Sequence, residues 1–388
     1  MVMSWRSNSF ALRRRTDTGT EPYICGTLVQ DTMGTDAHCV TLCPVNQVLR
    51  GCIMKSFVLL LSLFTGTLHA QITLDGTLGP GVSLKGPEYD IQANLGQQHG
   101  GNLFHSFEQF NINLGEIATF SGPNSVENVI SRVTGGTRSN INGTLKSTIL
   151  NADVYLINPA GLLFGSEAQL DVQGSFHAGT ADTLRFSDGS EFNARNPAKS
   201  LLTVAPVSAF GFLTESPQSL TIEGSQLSTP WENTLSLIGG NITVSDATLE
   251  ALSGRINLAS IANPGDVMLK PQDLVLSAQA GDISLQGSDI TVSGITSDGE
   301  PIASGRGGSI YIRGGQFEIE DYTLVTADGG KINVQADNFF VRGELASYAL
   351  AGTGQSSSIK IKVVGSTTFS EGAFFLDRTW MVMSGILI

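Results

Sequence analysis

The chain has 388 residues, a net charge of −13, 45 glycines and only 7% aromatic residues. No cluster of Lys and Arg occurs after residue 70, which argues against the counterion-releasing contacts that hold a nucleic acid. Brief runs of Val, Ile, Leu and Thr between glycines argue against long helices and favour many short strands joined by tight turns.

Residues 1–53 hold all four cysteines (Cys25, Cys39, Cys43 and Cys52) together with Arg13-Arg14-Arg15, and show no hydrophobic periodicity. This stretch is read as an upstream extension or a long leader ahead of the true start, Met54. Residues 54–70 place Lys55 beside Met54, then an apolar run from Phe57 to Phe64 broken only by Ser62, then the small residue Ala70. Basic, apolar and small regions in that order form a secretory signal, and the run falls short of the about 20 apolar residues that span a bilayer. Cleavage is expected between Ala70 and Gln71. The chain that follows has no cysteine, so no disulfide can close a loop in an oxidising periplasm and block passage through a narrow pore.

In residues 71–213 a series of short motifs appears in order. Asn102-Leu103-Phe104-His105-Ser106-Phe107 comes first, then Ala118-Thr119-Phe120-Ser121-Gly122-Pro123 and Ile130-Ser131-Arg132-Val133-Thr134-Gly135-Gly136. Asn158-Pro159-Ala160-Gly161-Leu162, Gly174-Ser175-Phe176-His177-Ala178 and Ala209-Phe210-Gly211-Phe212-Leu213 complete it. This region resembles the filamentous haemagglutinin N-terminal domain, the two-partner secretion domain of large bacterial exoproteins. One departure is plain: Ala160 stands where the better-known branch has a second Asn, and that branch's Asn-Pro-Asn-Leu motif has no counterpart. The resemblance implies recognition by the periplasmic domains of a dedicated outer-membrane β-barrel transporter, and a product that is secreted or held at the cell surface.

Arg132, alone among apolar residues and paired glycines, is either a buried ion-pair anchor or part of a recognition surface, since an unpartnered buried Arg is rare. Pro159 fixes one backbone angle and Gly161 permits a positive one, so with Asn158 they define a rigid turn. Arg132, Asn158, Pro159 and Gly161 are therefore the candidates for transporter recognition. Replacing Arg132 or Asn158 by Ala is expected to reduce export while changing stability by less than about 1 kcal/mol.

Residues 214–373 repeat a pattern of Gly followed by alternating apolar residues, as in Gly254-Arg255-Ile256-Asn257-Leu258 and Gly308-Ser309-Ile310-Tyr311-Ile312. Alternation points the apolar residues to one face and the intervening residue outward. Glycines recur at intervals of 27, 27 and 22 residues (254 to 281, 281 to 308, 308 to 330), a repeat too short for separate domains. The expected fold is all-β, a right-handed parallel β-helix whose turns bury their apolar face by stacking, rather than an antiparallel sandwich. Arg306, Arg313 and Arg342 are expected as solvated charges at strand edges. Residues 374–388 are expected to leave the repeat, in an atypical and truncated end.

Catalysis and metal binding find little support. His99, His105 and His177 match no zinc spacing, and no cofactor is expected. The carboxylates Asp266, Asp282, Asp289, Asp298, Asp321 and Asp328 fall at turns, where Asp serves local hydrogen bonds. The function expected is that of a non-enzymatic, adhesin-like passenger binding a glycan or protein receptor on a host or other surface. A β-helix enzyme acting on extracellular polysaccharide, and the N-terminal part of a toxin-bearing exoprotein, are the alternatives.

Overall fold

The computed structural model describes residues 71–294, 306–342, 344–347, 358–370, 374–377 and 381–384. The signal segment, the extension before it, Ala70 and Asp298 lie outside the described residues. Strands dominate and no α-helix occurs among the described residues.

Three parallel ladders build the fold. One runs from Asn102–Phe110 through Asn128–Val133, Asp153–Ile157, Phe176–Gly179, Thr234–Gly239 and Arg255–Ser260 to Ser309–Glu320, Lys331–Val341, Ser358–Val363 and Met381–Ser384. A second joins Ser139–Ile141, Leu162–Phe164, Leu220–Glu223, Ile242–Ser245 and Ile283–Gln286 before entering the far halves of the two long strands. The third holds ten short strands from Glu88–Gln92 to Phe374–Asp377. Parallel pairing throughout these ladders is a β-helix and overturns the sandwich alternative. Strand pairing also occurs in Phe374–Asp377 and Met381–Ser384, within the segment expected to leave the repeat.

The register shows why the chain stacks. Leu235, Ile256, Ile310, Ile332 and Ile359 lie directly above one another in successive turns, all buried. At a strand spacing of about 4.8 Å each covers the next, and a fully buried Ile contributes about 2 kcal/mol. Turns outside the insertions described below take 21 to 27 residues (Thr234 to Arg255, Lys331 to Ser358). The 27-residue glycine spacing is nevertheless not the repeat. Gly254 and Gly308 mark equivalent places on the first ladder, whereas Gly281 precedes Ile283 of the second, which pairs with Ile242 and Phe317.

Two insertions separate equivalent strands. Residues 180–219 and 261–282 leave the stack and form a five-stranded antiparallel sheet from Thr183–Phe186, Glu191–Asn193, Val207–Phe212, Gly265–Lys270 and Asp273–Leu276. This sheet covers the outside of the first ladder and creates a second core, in which Phe104, Ile130, Tyr155 and Tyr311 meet Leu184, Phe192, Phe210 and Val267. The expectation of a core on one side only is thus corrected: Tyr311 does not point into solvent but is 7% exposed. Arg313 is likewise corrected from an edge charge to a buried tie. Its Nε donates to the carbonyl of Leu274 at 2.7 Å, its Nη1 to those of Ile312 and Asn333, and its Nη2 to Asp273 Oδ1 at 2.5 Å. Arg255 stacks on the Tyr311 ring at 4.2 Å and donates to the carbonyls of Lys270, Pro271 and Asp273. Together the two guanidiniums fasten the hairpin and occupy edge carbonyls that would otherwise invite another strand. Arg306 and Arg342 are exposed as expected, the latter 3.8 Å from Asp321.

At the N-terminal end, Ile72–Leu74 and Gln97–His99 pair antiparallel with Asn102–Phe110. They cover that strand before the stack begins.

Candidate functional site

Arg132 is the penultimate residue of the second strand of the first ladder and is 1% exposed. Its Nε donates to Ser106 Oγ at 2.7 Å, Nη2 to Thr77 Oγ1 at 2.9 Å, and Nη1 to the Asn193 carbonyl at 2.8 Å and Ser200 Oγ at 2.5 Å. The guanidinium lies over the Phe192 ring, 4.2 Å from its centroid. Its counter-charge is one step away: Asp75 accepts from the hydroxyls of Ser106, Thr77 and Thr134 at 2.6 to 2.9 Å. Burial alone would raise the Asp75 carboxyl, but these hydrogen bonds and that of the Thr77 amide hold it below its usual range. Burial pulls Arg132 down to about 10 against the favourable field of Asp75, so it remains charged at neutral pH. Of the two roles the sequence left open for its side chain, the geometry is that of the buried anchor. It ties the N-terminal cap, the first turn and the antiparallel sheet together.

Asn158 is fully buried. Its Nδ2 donates to the Thr137 carbonyl at 2.9 Å and Ser139 Oγ at 3.0 Å, while its Oδ1 accepts from the Ala160 amide at 2.9 Å. The amide of Gly161 closes the turn on the Asn158 carbonyl at 3.0 Å. Gly161 has φ +110°, a backbone angle that favours glycine, and a Cβ there would sit tightly, 3.3 Å from the Ser219 carbonyl. Pro159 is buried and Ala160 half-buried. The rigid turn read from sequence is present, although it is mostly enclosed.

The turn borders a groove of about 510 Å³ lined by Val133, Thr134 and Gly136, by Asn158, Pro159 and Ala160, and by Ala194, Arg195 and Gln218. Arg132 ties two stretches of this lining together, because Val133 is its chain neighbour and its acceptor Asn193 adjoins Ala194. Arg195, one of the lining residues, is paired with the buried carboxylate of Asp182. Sequence reasoning missed Arg195, Gln218 and the residues 193–200, whose proximity depends on an insertion folding back across the first turns.

The buried placement of Arg132 and Asn158 corrects the expected mildness of their replacement. Arg132→Ala leaves Asp75 without its cation and removes donors from several acceptors, so the loss should be about 3 kcal/mol. Asn158→Ala should cost about 2 kcal/mol for the buried groups it leaves unpaired. Urea unfolding monitored by circular dichroism measures both, and losses under about 0.5 kcal/mol would contradict the network.

Other expected positions are dispersed. His105 and Ser131 are cross-strand neighbours inside the first turns, fully buried, with no hydrogen-bond partner for either side chain. His177 stacks on Tyr155 at 4.3 Å and shares a hydrogen bond with Ser236 Oγ. Asp266 pairs with Arg185 on the antiparallel sheet, Asp282 accepts from the Gln316 amide, Asp328 accepts from Ser293, and Asp321 sits in a turn at φ +49°. These carboxylates serve local turns and ties in different places.

The model of the TPS secretion domain matches residues 70–319. Among solved structures, the chain is similar to the HMW1 secretion domain from Haemophilus influenzae, at 18% identity and a TM-score of 0.48, over 79% of this chain and 82% of that one. It is also similar to a filamentous hemagglutinin secretion domain, at 14% identity and a TM-score of 0.36, over 74% of this chain and 91% of that one. No curated protein matches the sequence. The family match spans the cap, the groove, the antiparallel sheet and most of the stacked turns, and the chain belongs to the TPS secretion domain family, the secretion domain of two-partner secretion exoproteins.

Proposed function

We propose that the N-terminal block, residues 71–213, docks through the groove beside Pro159 onto the periplasmic domains of an outer-membrane β-barrel transporter, and that the turns after it are threaded outward. Outside the cell the stacked turns act without catalysis, as an adhesin-like surface for a glycan or protein receptor. The observation that carries the docking reading is the groove itself: a turn fixed by Asn158 and Gly161 borders it, and one buried arginine ties the residues beside Val133 to those beside Ala194. Arg132, Asn158 and Gly161 then act as positioning residues, while Pro159, Ala160, Arg195 and Gln218 meet the partner. A stack of quasi-independent turns suits threading, because each turn needs only its neighbour to fold.

Ala160→Arg and Gln218→Arg fill the groove from half-buried and exposed positions. In cells carrying the transporter, each should lower the amount in the medium more than tenfold, while the melting temperature of the purified protein shifts by only a few degrees, as for about 1 kcal/mol or less. Secretion at the unaltered level with the groove filled would contradict the reading.

A further inference from the structure

The first two strands of the stack carry an unusual load of buried polar side chains: Asn102, His105 and Ser106 on one, Ser131 and Arg132 on the next. His105 and Ser131 have no partner. The others find theirs largely in distant sequence. Asn102 Nδ2 donates to the carbonyls of Thr203 and Ala205 at 2.9 and 2.8 Å, and its Oδ1 accepts from Asn128. Arg132 needs Asn193 and Ser200.

The apolar contacts follow the same pattern. Phe104 packs its ring on Phe192 and Phe186 at 5.1 and 5.9 Å, and the largely exposed Val204 lies beside Gly100, where a Cβ would come within 2.9 Å of its Cγ1. Residues 193–206 are anchored in turn by Leu201 N to the Glu191 carbonyl, Ser187 N to the Pro206 carbonyl, and Thr203 Oγ1 to Asp188.

Without this segment Asn102 and the Nη1 of Arg132 lose their protein acceptors, and the outer face of strands Asn102–Phe110 and Asn128–Val133, with Phe104 and Ile130, is left incompletely covered from water. Contacts so distant in sequence also require a long loop to close first.

We propose that residues 193–206 are a strap whose docking completes the first turns, so that cap and first strands assemble as one unit only once residue 206 is available, and the groove is complete once Gln218 follows. Ala194 and Arg195, which line the groove, arrive with the strap. This rests on the docking reading above and adds its regulation: a chain still entering the periplasm offers no groove, and the transporter meets only chains whose whole N-terminal block has arrived.

Refolding of the full chain from urea, without transporter, followed by pulsed hydrogen exchange and mass spectrometry, tests the strap separately from docking. Amides of Asn102–Phe110 and Asn128–Val133 should gain protection with the same time constant as those of Val207–Phe212. Their protection in an earlier, separate phase would overturn the proposal.

A second variant replaces residues 196–206 by Gly and Ser at equal length. At equilibrium it should lose protection at least tenfold in the two N-terminal strands while Lys331–Val341 keeps its own. Full protection of those strands in this variant would equally overturn it. Failure of the groove variants to affect secretion, with the shared phase intact, would refute docking but not the strap.

Discussion

Ile283→Lys should lower the unfolding free energy by about 5 kcal/mol, while Ser284→Lys, one residue on, should change it by less than about 1 kcal/mol. Ile283 is 1% exposed between Ile242 and Phe317 of the adjoining turns. Replacing it forfeits about 2 kcal/mol of apolar burial and forces an ammonium with no partner into the stack, for several kcal/mol more. Ser284 is half-buried on the other face, in register with Thr243 and Glu318, and a lysine there faces the Glu318 carboxylate across the ladder. Urea midpoints at unchanged slope would report both effects. Equal tolerance at the two positions would refute the register, because a slip of one residue exchanges their faces.

The second large effect is acid sensitivity above the carboxylate range. Burial lowers His105 to about 4, and burial, against the opposing field of Asp153, lowers His177 to about 4. Unfolded histidine titrates near 6.5. Between about pH 6.5 and 4 the unfolded chain therefore binds two protons that the folded chain refuses, so stability falls as pH drops through that window. At about 1.4 kcal/mol for each pH unit, each histidine removes about 3 kcal/mol by pH 4. Asp75 and Asp273, held below their usual range, add their loss only as pH falls below about 4. Equilibrium unfolding at pH 7.0, 5.5 and 4.5 should show the fall, and His105→Leu should remove about half of it. A stability independent of pH over this range would contradict the burial of both rings in their neutral form.

The all-β class, the stacking and the rigid turn were legible in the sequence because they follow from local chemistry. Alternating apolar residues at 283 and 285 or 310 and 312 specify one buried face, and Pro159 with Gly161 specifies a turn. The second core was harder to read. It was written in adjacent apolar pairs, Leu103-Phe104, Val129-Ile130, Leu237-Ile238 and Leu258-Ala259, which are the mark of a strand buried on both sides. Alternation alone misassigned Tyr311, which is buried in the second core, and Arg313, whose partners Leu274 and Asp273 lie on a hairpin that the repeat does not contain.

The glycine spacing misled for a related reason. Glycine opens strands of two different ladders, so equal intervals joined unlike positions. Within the site, the buried state of Arg132 and the presence of Arg195 were not readable, because they depend on residues 193–200 returning across turns laid down about 60 residues earlier, and that of Asn158 depends on Thr137 and Ser139 of the preceding turn.

Secretion of the tagged chain in cells with and without a two-partner transporter tests the central claim most directly. The account predicts protein in the medium only when the transporter is present, and its loss when Ala160→Arg fills the groove of a protein that still folds. Equal release with and without the transporter, or transporter-dependent release that ignores the filled groove, would contradict it.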